Sequence, residues 1–312
     1  MLDLLLLAGG LAVLYLGSEG VVRGASSIAR GLHIRPILIG LTVVAFGTSL
    51  PELVVSLFSA VEHPDVAIGM VIGSNVANVA LILGLAAVIR PVRVDRTGEW
   101  RDVPFLLGAS LLFTALAAFD GELSRLDGGV MLACLALFMA MQIRSALRSR
   151  RTARELGIEI ETIDPRRSTV YLVAGLALLA LGGVMLESSI PAVARRLGVP
   201  EVVVAVTMVA LGTSLPELGT SLVATLRNEH DLLLGNVVGS NVLNLLLIVG
   251  LTAVIVPLPV SAGLLANHFP WMVGVAVILL PMTWLGDRIS RREGALLLAG
   301  YVTYVTLTFR AG

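Results

Sequence analysis

Lysine is missing from this chain: all 22 basic residues are arginine. Charge of either sign is scarce, at 14% of residues, and acids balance the arginines to a net charge of zero. A nucleic-acid binder needs a basic surplus to neutralise phosphates, so that class is excluded. Cysteine is almost absent too. Cys134 alone cannot close an intrachain disulfide, and its place in an apolar run predicts a packing role. The four histidines are not at metal-ligand spacing, and GxSxG, HExxH and phosphate-loop motifs are lacking. The chain therefore carries no enzyme signature and calls for no cofactor.

What fills the chain is apolar: 56% of residues, with a mean hydropathy of +0.93. Such a chain is mostly dissolved in lipid. A membrane helix needs about 20 apolar residues. Ten spans fit, over 2–29, 36–61, 66–89, 103–119, 126–147, 168–194, 201–226, 231–257, 268–286 and 294–310. The first is read as a membrane helix and not a signal peptide, because Asp3 is its only early charge and it exceeds a typical h-region. The predicted fold is an all-α integral membrane protein of ten transmembrane helices. The longest polar stretch, Arg144 to Arg167, separates five spans from five and is too short to be a domain. This gives a first five-helix unit over 1–149, a linker over 150–167 and a second unit over 168–312.

Arginine placement orients the layout. Loops after the odd-numbered spans hold 17 arginines and the opposite side holds 4, with Arg23 inside a span. The positive-inside rule then predicts a cell-membrane protein (inner membrane in a two-membrane cell) with both termini outside and loop 144–167 cytoplasmic.

The chain also repeats itself. Val44 to Leu53, VAFGTSLPEL, and Val209 to Leu218, VALGTSLPEL, match at nine of ten positions, 165 residues apart. Val71 to Leu85, VIGSNVANVALILGL, and Val237 to Leu251, VVGSNVLNLLLIVGL, match at ten of fifteen, 166 apart. Each copy lies in the second or third span of its half. Because five is odd, the second half is inserted upside down, giving two inverted five-helix repeats. In secondary transporters so built, the substrate site lies near the midplane between the repeats.

Within the first motif Pro51 has no amide proton and its ring clashes with the Gly47 carbonyl. Leu50 before it is expected to leave helical angles. The predicted result is a helix broken inside the membrane, tolerated only where it is covered by protein or lines a wet cavity. Thr48 and Ser49 lie four and three residues before Glu52, so their oxygens share one helix face; Ser56 extends it. Gly212, Thr213, Ser214, Pro216, Glu217 and Ser221 repeat the set. An unpaired intramembrane glutamate costs several kcal/mol, on the order of 3. Two in register point to function. In the GSNxxN motif Ser74 and Asn78, like Ser240 and Asn244, are spaced i, i+4. Asn75 and Asn241 fall on a neighbouring face, suited to joining helices. The assembled donors are all hard oxygens, a set for Ca²⁺ or Na⁺ and not for Mg²⁺, which holds its waters. Two carboxylates in an empty site repel each other, which couples release of one ion to uptake of another. Glu19 and Glu187 occupy unmatched positions in spans 1 and 6; Arg23 is one turn from Glu19, at pairing distance. Glu229, His230 and Asp231 form a polar cluster at one end of span 8.

GTSLPE and GSNxxN, each present twice in inverted halves, resemble the α-repeats of the Na⁺/Ca²⁺ exchanger family, in the cation/Ca²⁺ exchanger superfamily. The resemblance covers nearly the whole chain. It implies a ten-helix antiporter working by alternating access, with helices 1 and 6 sliding across the rest. It also implies one site favoured by Ca²⁺ and three by Na⁺. On this chain Ca²⁺ would take Glu52 and Glu217 with the carbonyls of Thr48 and Thr213. Sodium would take the same glutamates with oxygens of Ala45, Ser49, Ser74, Ala210, Ser214 and Ser240, with Asn78 and Asn244 central. Some relatives, K⁺-dependent ones among them, carry aspartate where this chain has Asn244, which argues against K⁺ co-transport. Met70 stands where the second repeat has Asn236. The large regulatory region of animal exchangers is missing between the halves, which predicts a prokaryotic-type exchanger. Its partners are then Ca²⁺, Na⁺ and the lipid bilayer, with no obligate protein partner indicated. The expected activity is electrogenic exchange of three Na⁺ for one Ca²⁺. Two rival readings are an H⁺/Ca²⁺ antiporter using the same glutamates and, less favoured by inverted repeats, a cation channel.

Overall fold

The computed structural model describes residues 2–94, 102–156, 164–196 and 212–311. A chain in lipid must satisfy its own backbone polar groups, and this one does so with helices. They are α1 (Leu2–Leu32), α2 (Pro36–Thr48), α3 (Leu50–Glu62), α4 (Pro64–Ile89), α5 (Asp102–Asp120) and α6 (Arg125–Glu155). The second half adds α7 (Pro165–Arg196), α8 (Leu215–Leu226), α9 (His230–Ile255), α10 (Ala262–Trp284) and α11 (Arg291–Ala311). Among the described residues seven helices are long and apolar enough to cross a membrane, namely α1, α4, α5, α6, α7, α9 and α10. The α2–α3 pair, bent by 45°, makes an eighth span if taken as one. The chain is thus an all-helical, multi-pass integral membrane protein. The expected span over 201–226 begins outside the described residues, and α11 occupies the region of the tenth.

Two boundaries differ from those expected. α6 runs to Glu155, well past the expected end near 147. Ser124 and Asp127 form a capping box at its start, and Arg151 pairs with Glu155 at 2.8 Å near its end. Hydropathy detects only the apolar part of such a helix, so half of the expected connector is helical; 157–163 lie outside the described residues. α10 likewise begins at Ala262 instead of 268, where Ser261 accepts from the Leu264 amide as N-cap.

α4 and α9, which carry GSNxxN, are the most buried spans and form the core. Large apolar side chains such as Leu16, Val54, Leu181 and Val302 are exposed on outer helix faces, where lipid replaces water. α1 and α7 pack closely along their length: a Cβ on Gly175 would lie 2.6 Å from the Val21 amide nitrogen, and one on Gly17 would lie 2.7 Å from that of Leu179. Small residues permit such backbone contact between membrane helices. Gly128 meets the Gly250 carbonyl of α9, and Gly294 meets the Gly84 carbonyl of α4, at comparable closeness.

Two short antiparallel ladders join the helix ends. β1 (Val92–Arg93) pairs with β4 (Arg288–Ile289), and β2 (Glu122–Leu123) with β3 (Leu258–Pro259). Glu19 pairs with Arg23 at 2.6 Å, as the spacing predicted, and also receives Arg227 from the end of α8. In the 229–231 cluster Glu229 and Asp231 face Arg30 and Arg35 at 3.5 and 3.7 Å.

Candidate functional site

The break between α2 and α3 falls at Ser49, with φ −85° and ψ 3°. Leu50 already belongs to the new helix, contrary to the sequence expectation. The reason is that Pro51 then sits in a first turn, where no amide proton is needed and its fixed φ suits the helix. Before the break the chain winds as a π-helix over Gly40–Val44. The second motif breaks alike at Ser214, with φ −88° and ψ 8°, ahead of α8. Each glutamate thereby stands in the first turn of a new helix inside the protein. Glu52 and Glu217 are both 1% exposed.

The two motifs bond across to each other. Ser49 Oγ donates to Glu217 Oε1 at 3.2 Å, and Ser214 Oγ donates to Glu52 Oε1 at 3.3 Å. α4 and α9 each add a serine. Ser240 Oγ donates to Glu217 Oε1 at 3.4 Å, and Ser214 Oγ lies 3.2 Å from Ser74 Oγ. Of the expected residues, Ser49, Glu217 and Ser240 therefore form one hydrogen-bonded triad, and Ser214, Glu52 and Ser74 form a second. Thr48, which donates to Asn236 Oδ1 at 3.4 Å, joins the first through that amide, because Asn236 Nδ2 bonds the Glu217 carbonyl at 3.5 Å. Ala45 is fully buried beside them, its carbonyl accepting from Thr48 Oγ1 at 3.3 Å. Ala210 lies outside the described residues.

Asn78 and Asn244 sit where α4 and α9 turn into π-helical stretches, over Ala77–Leu83 and Asn244–Val249. A π-bulge reorients side chains and often marks a functional site. Asn78 Nδ2 donates to Asn241 Oδ1 at 2.9 Å, but its own Oδ1 has no donor. Asn244 uses neither amide atom. Asn75 and Asn241 do join the helices, each donating its amide to the other's backbone carbonyl, at 3.4 and 3.1 Å.

Among the buried oxygens without a hydrogen-bond donor in the described residues are five carboxylate and amide oxygens: Oε2 of Glu52 and Glu217, and Oδ1 of Asn75, Asn78 and Asn244. Buried polar atoms are rarely left so, and a set made only of acceptors lacks positive charge. Asn236 is the residue that sequence reasoning passed over. It accepts from Thr48 and donates to Ser221 Oγ at 3.1 Å, which ties α2, α8 and α9 together. Its signal was available: Asn236, Ser240 and Asn244 are spaced by four and make one polar stripe on an apolar helix.

With this geometry in view, the similarities are specific. The profile of the sodium/calcium exchanger protein family matches residues 2–144 and 167–310. The sodium/calcium exchanger MaX1 of Methanosarcina acetivorans is 32% identical over 345 aligned residues, covering 98% of each chain. CaxA of Alkalimonas amylolytica is 36% identical over 308 residues, 96% of each chain. The solved sodium-calcium exchanger NCX_Mj, in crystals soaked without Na⁺ and Ca²⁺, superposes with a TM-score of 0.84 at 29% identity, covering 98% of this chain and 99% of that one. On these grounds the chain belongs to the sodium/calcium exchanger protein family of membrane antiporters, which transport Na⁺ and Ca²⁺.

Proposed function

We propose that this protein exchanges Ca²⁺ for Na⁺ by alternating access, through one buried site shared by Glu52 and Glu217. The observation that carries the reading is the reciprocal exchange of hydrogen bonds between the motifs. Each motif's serine donates to the other's glutamate, while the second oxygen of each carboxylate is left free. Ca²⁺ takes 6–8 oxygen ligands in flexible geometry. The two carboxylates, the carbonyls of Thr48 and Thr213 and the free amide oxygens of Asn78 and Asn244 supply such a set. One Ca²⁺ balances both carboxylates. Three Na⁺, held by the same glutamates with oxygens of Ala45, Ser49, Ser74, Ser214 and Ser240, leave a surplus of one charge. Exchange at that ratio is electrogenic.

The ten-helix plan of two inverted repeats is part of the proposal, with units over 1–149 and 168–312. The ladders support it. Adding 166 to Val92↔Ile289 and Arg93↔Arg288 maps β1 onto β3, and the partners found there, Leu123 and Glu122, lie 166 before Ile289 and Arg288. The glycine contacts Gly128–Gly250 and Gly294–Gly84 interchange under the same shift. The arginine distribution supports the orientation, with both termini outside.

The test is Ca²⁺ flux in proteoliposomes with Glu52→Gln and Glu217→Gln. Each is expected to fall to the level of empty liposomes while the protein stays folded, since glutamine keeps the shape and removes the charge. Near-normal exchange in both variants would refute the shared site.

A further inference from the structure

Glu19 is a carboxylate inside the α1 span that takes no part in the site above. It lies thirteen residues before Leu32, about 20 Å from that helix end at 1.5 Å per residue. A charge so deep in a span is costly unless it is paired. Its side chain is only 16% exposed and receives two arginines. Arg23 is the partner on its own helix. Arg227 reaches it from the end of α8, with Nε donating to Glu19 Oε2 at 2.7 Å and Nη2 donating to Oε1. Nearer the end of α1, Arg30 meets Glu229 at 3.5 Å. Both links tie α1 to the turn between α8 and α9, on the Arg-rich face.

α1 supplies none of the hydrogen-bonded site residues, and neither does α7, on which it packs backbone to backbone. An added Cβ on Gly17 would lie 2.7 Å from the Leu179 amide nitrogen, and one on Gly182 would lie 2.8 Å from that of Leu14. A shift of 165 residues, the spacing of the first motif, interchanges these two contacts. α1 and α7 thus form a symmetric unit that can shift against α8 and α9 while the ligand-bearing helices stay together. α8 turns one stripe toward α1. It starts at Gly219, where an added Cβ would meet Ser18 Oγ at 2.6 Å, and continues one and two turns on at Val223 and Arg227.

The Glu19–Arg227 link breaks the symmetry that the packing keeps. Under the same shift Glu19 becomes Val184 of α7 and Arg227 becomes Glu62 at the end of α3. A valine and a glutamate cannot form an ion pair, so this link has no equivalent on the opposite face.

We infer that Glu19 and Arg227, with Arg30 and Glu229 beside them, are a clasp that holds the Arg-rich face shut and has to part before the site is reached from that side. Glu19 and Arg227 are then positioning residues for transport, and the two faces open unequally because this pair fastens only one of them. The clasp rests on the alternating access proposed above, with α1 and α7 as the unit that moves.

The test is thiol labelling of the full chain in proteoliposomes, in a Cys134→Ala background, with a membrane-impermeant maleimide applied to one face at a time. Val223→Cys reports on the Arg-rich face, since Val223 is 5% exposed and lies in the stripe facing α1. Val55→Cys, in the groove beside α7, reports on the opposite face. Arg227→Gln is expected to speed labelling of Val223→Cys on the order of threefold to fivefold, the upper range for a partly exposed ion pair. Glu19→Gln acts alike and the two together add little, because both remove one pair. Arg227→Lys stays near the parent, and labelling of Val55→Cys does not rise in any of these variants. Unchanged labelling of Val223→Cys would overturn the clasp. So would an equal rise at both reporters, which means that the pair only holds the fold together. Alternating access is judged separately in the parent: if Na⁺ and Ca²⁺ alter the labelling of neither reporter, that reading fails whatever Arg227 does.

Discussion

Asn236 shows how much one side chain organises here. It receives the Thr48 hydroxyl, donates to Ser221 and to the Glu217 carbonyl, and so fixes the backbone that carries a key carboxylate. Replacing it by the residue of the other half, Asn236→Met, strands the buried Ser221 hydroxyl and leaves Thr48 only the Ala45 carbonyl of its own turn. An unsatisfied buried polar group costs about 1–3 kcal/mol, so thermal melting in detergent should show a loss of that order. Unchanged melting would mean that these bonds carry no net stability. The glutamates, serines and asparagines of the site were legible from residue type and spacing, since oxygens crowded into an apolar helix need a cation or each other. Asn236 was passed over because it lies outside the repeated blocks and its counterpart Met70 is apolar, although its spacing from Ser240 and Asn244 marked it. The break position was not legible to the residue. Pro51 announces that a helix stops nearby, but whether Ser49 or Leu50 absorbs the turn depends on where the next helix restarts.

At the scale of helices, the α1–α7 contact is a demanding surface. Backbone meets backbone there, and a methyl group on Gly175 would lie 2.6 Å from a nitrogen of α1. Gly175→Ala is expected to lose about 1–3 kcal/mol by overpacking. Gly129→Ala in α6, where an added Cβ meets nothing within 4 Å, should be neutral or slightly stabilising. Equal melting temperatures for the two variants would show that α1 and α7 are not held by this contact. Hydropathy located these helices but misjudged their ends, for a physical reason. The membrane imposes apolarity only across its own thickness, while α6 goes on as a charged helix to Glu155 under local capping and ion-pair control. Which helices touch was also illegible, because glycines mark surfaces able to approach without naming the partner.

Across the whole molecule, the repeat seen in the sequence recurs in three dimensions as interchangeable ladders, glycine contacts and crossed serine–glutamate bonds. The crossed bonds make the two halves one site, with each motif completing the surroundings of the other's carboxylate. In the proposed function sodium and calcium share these ligands, so occupation by one excludes the other and their movements are coupled. The symmetry is not complete. Met70 and Glu187 fall on one half only. The most direct test of the coupling is Ca²⁺ uptake into proteoliposomes loaded with Na⁺ at equal pH on both sides. The account predicts uptake that rises with the loaded Na⁺ and vanishes when K⁺ replaces it; uptake driven by a proton gradient and indifferent to Na⁺ would contradict it.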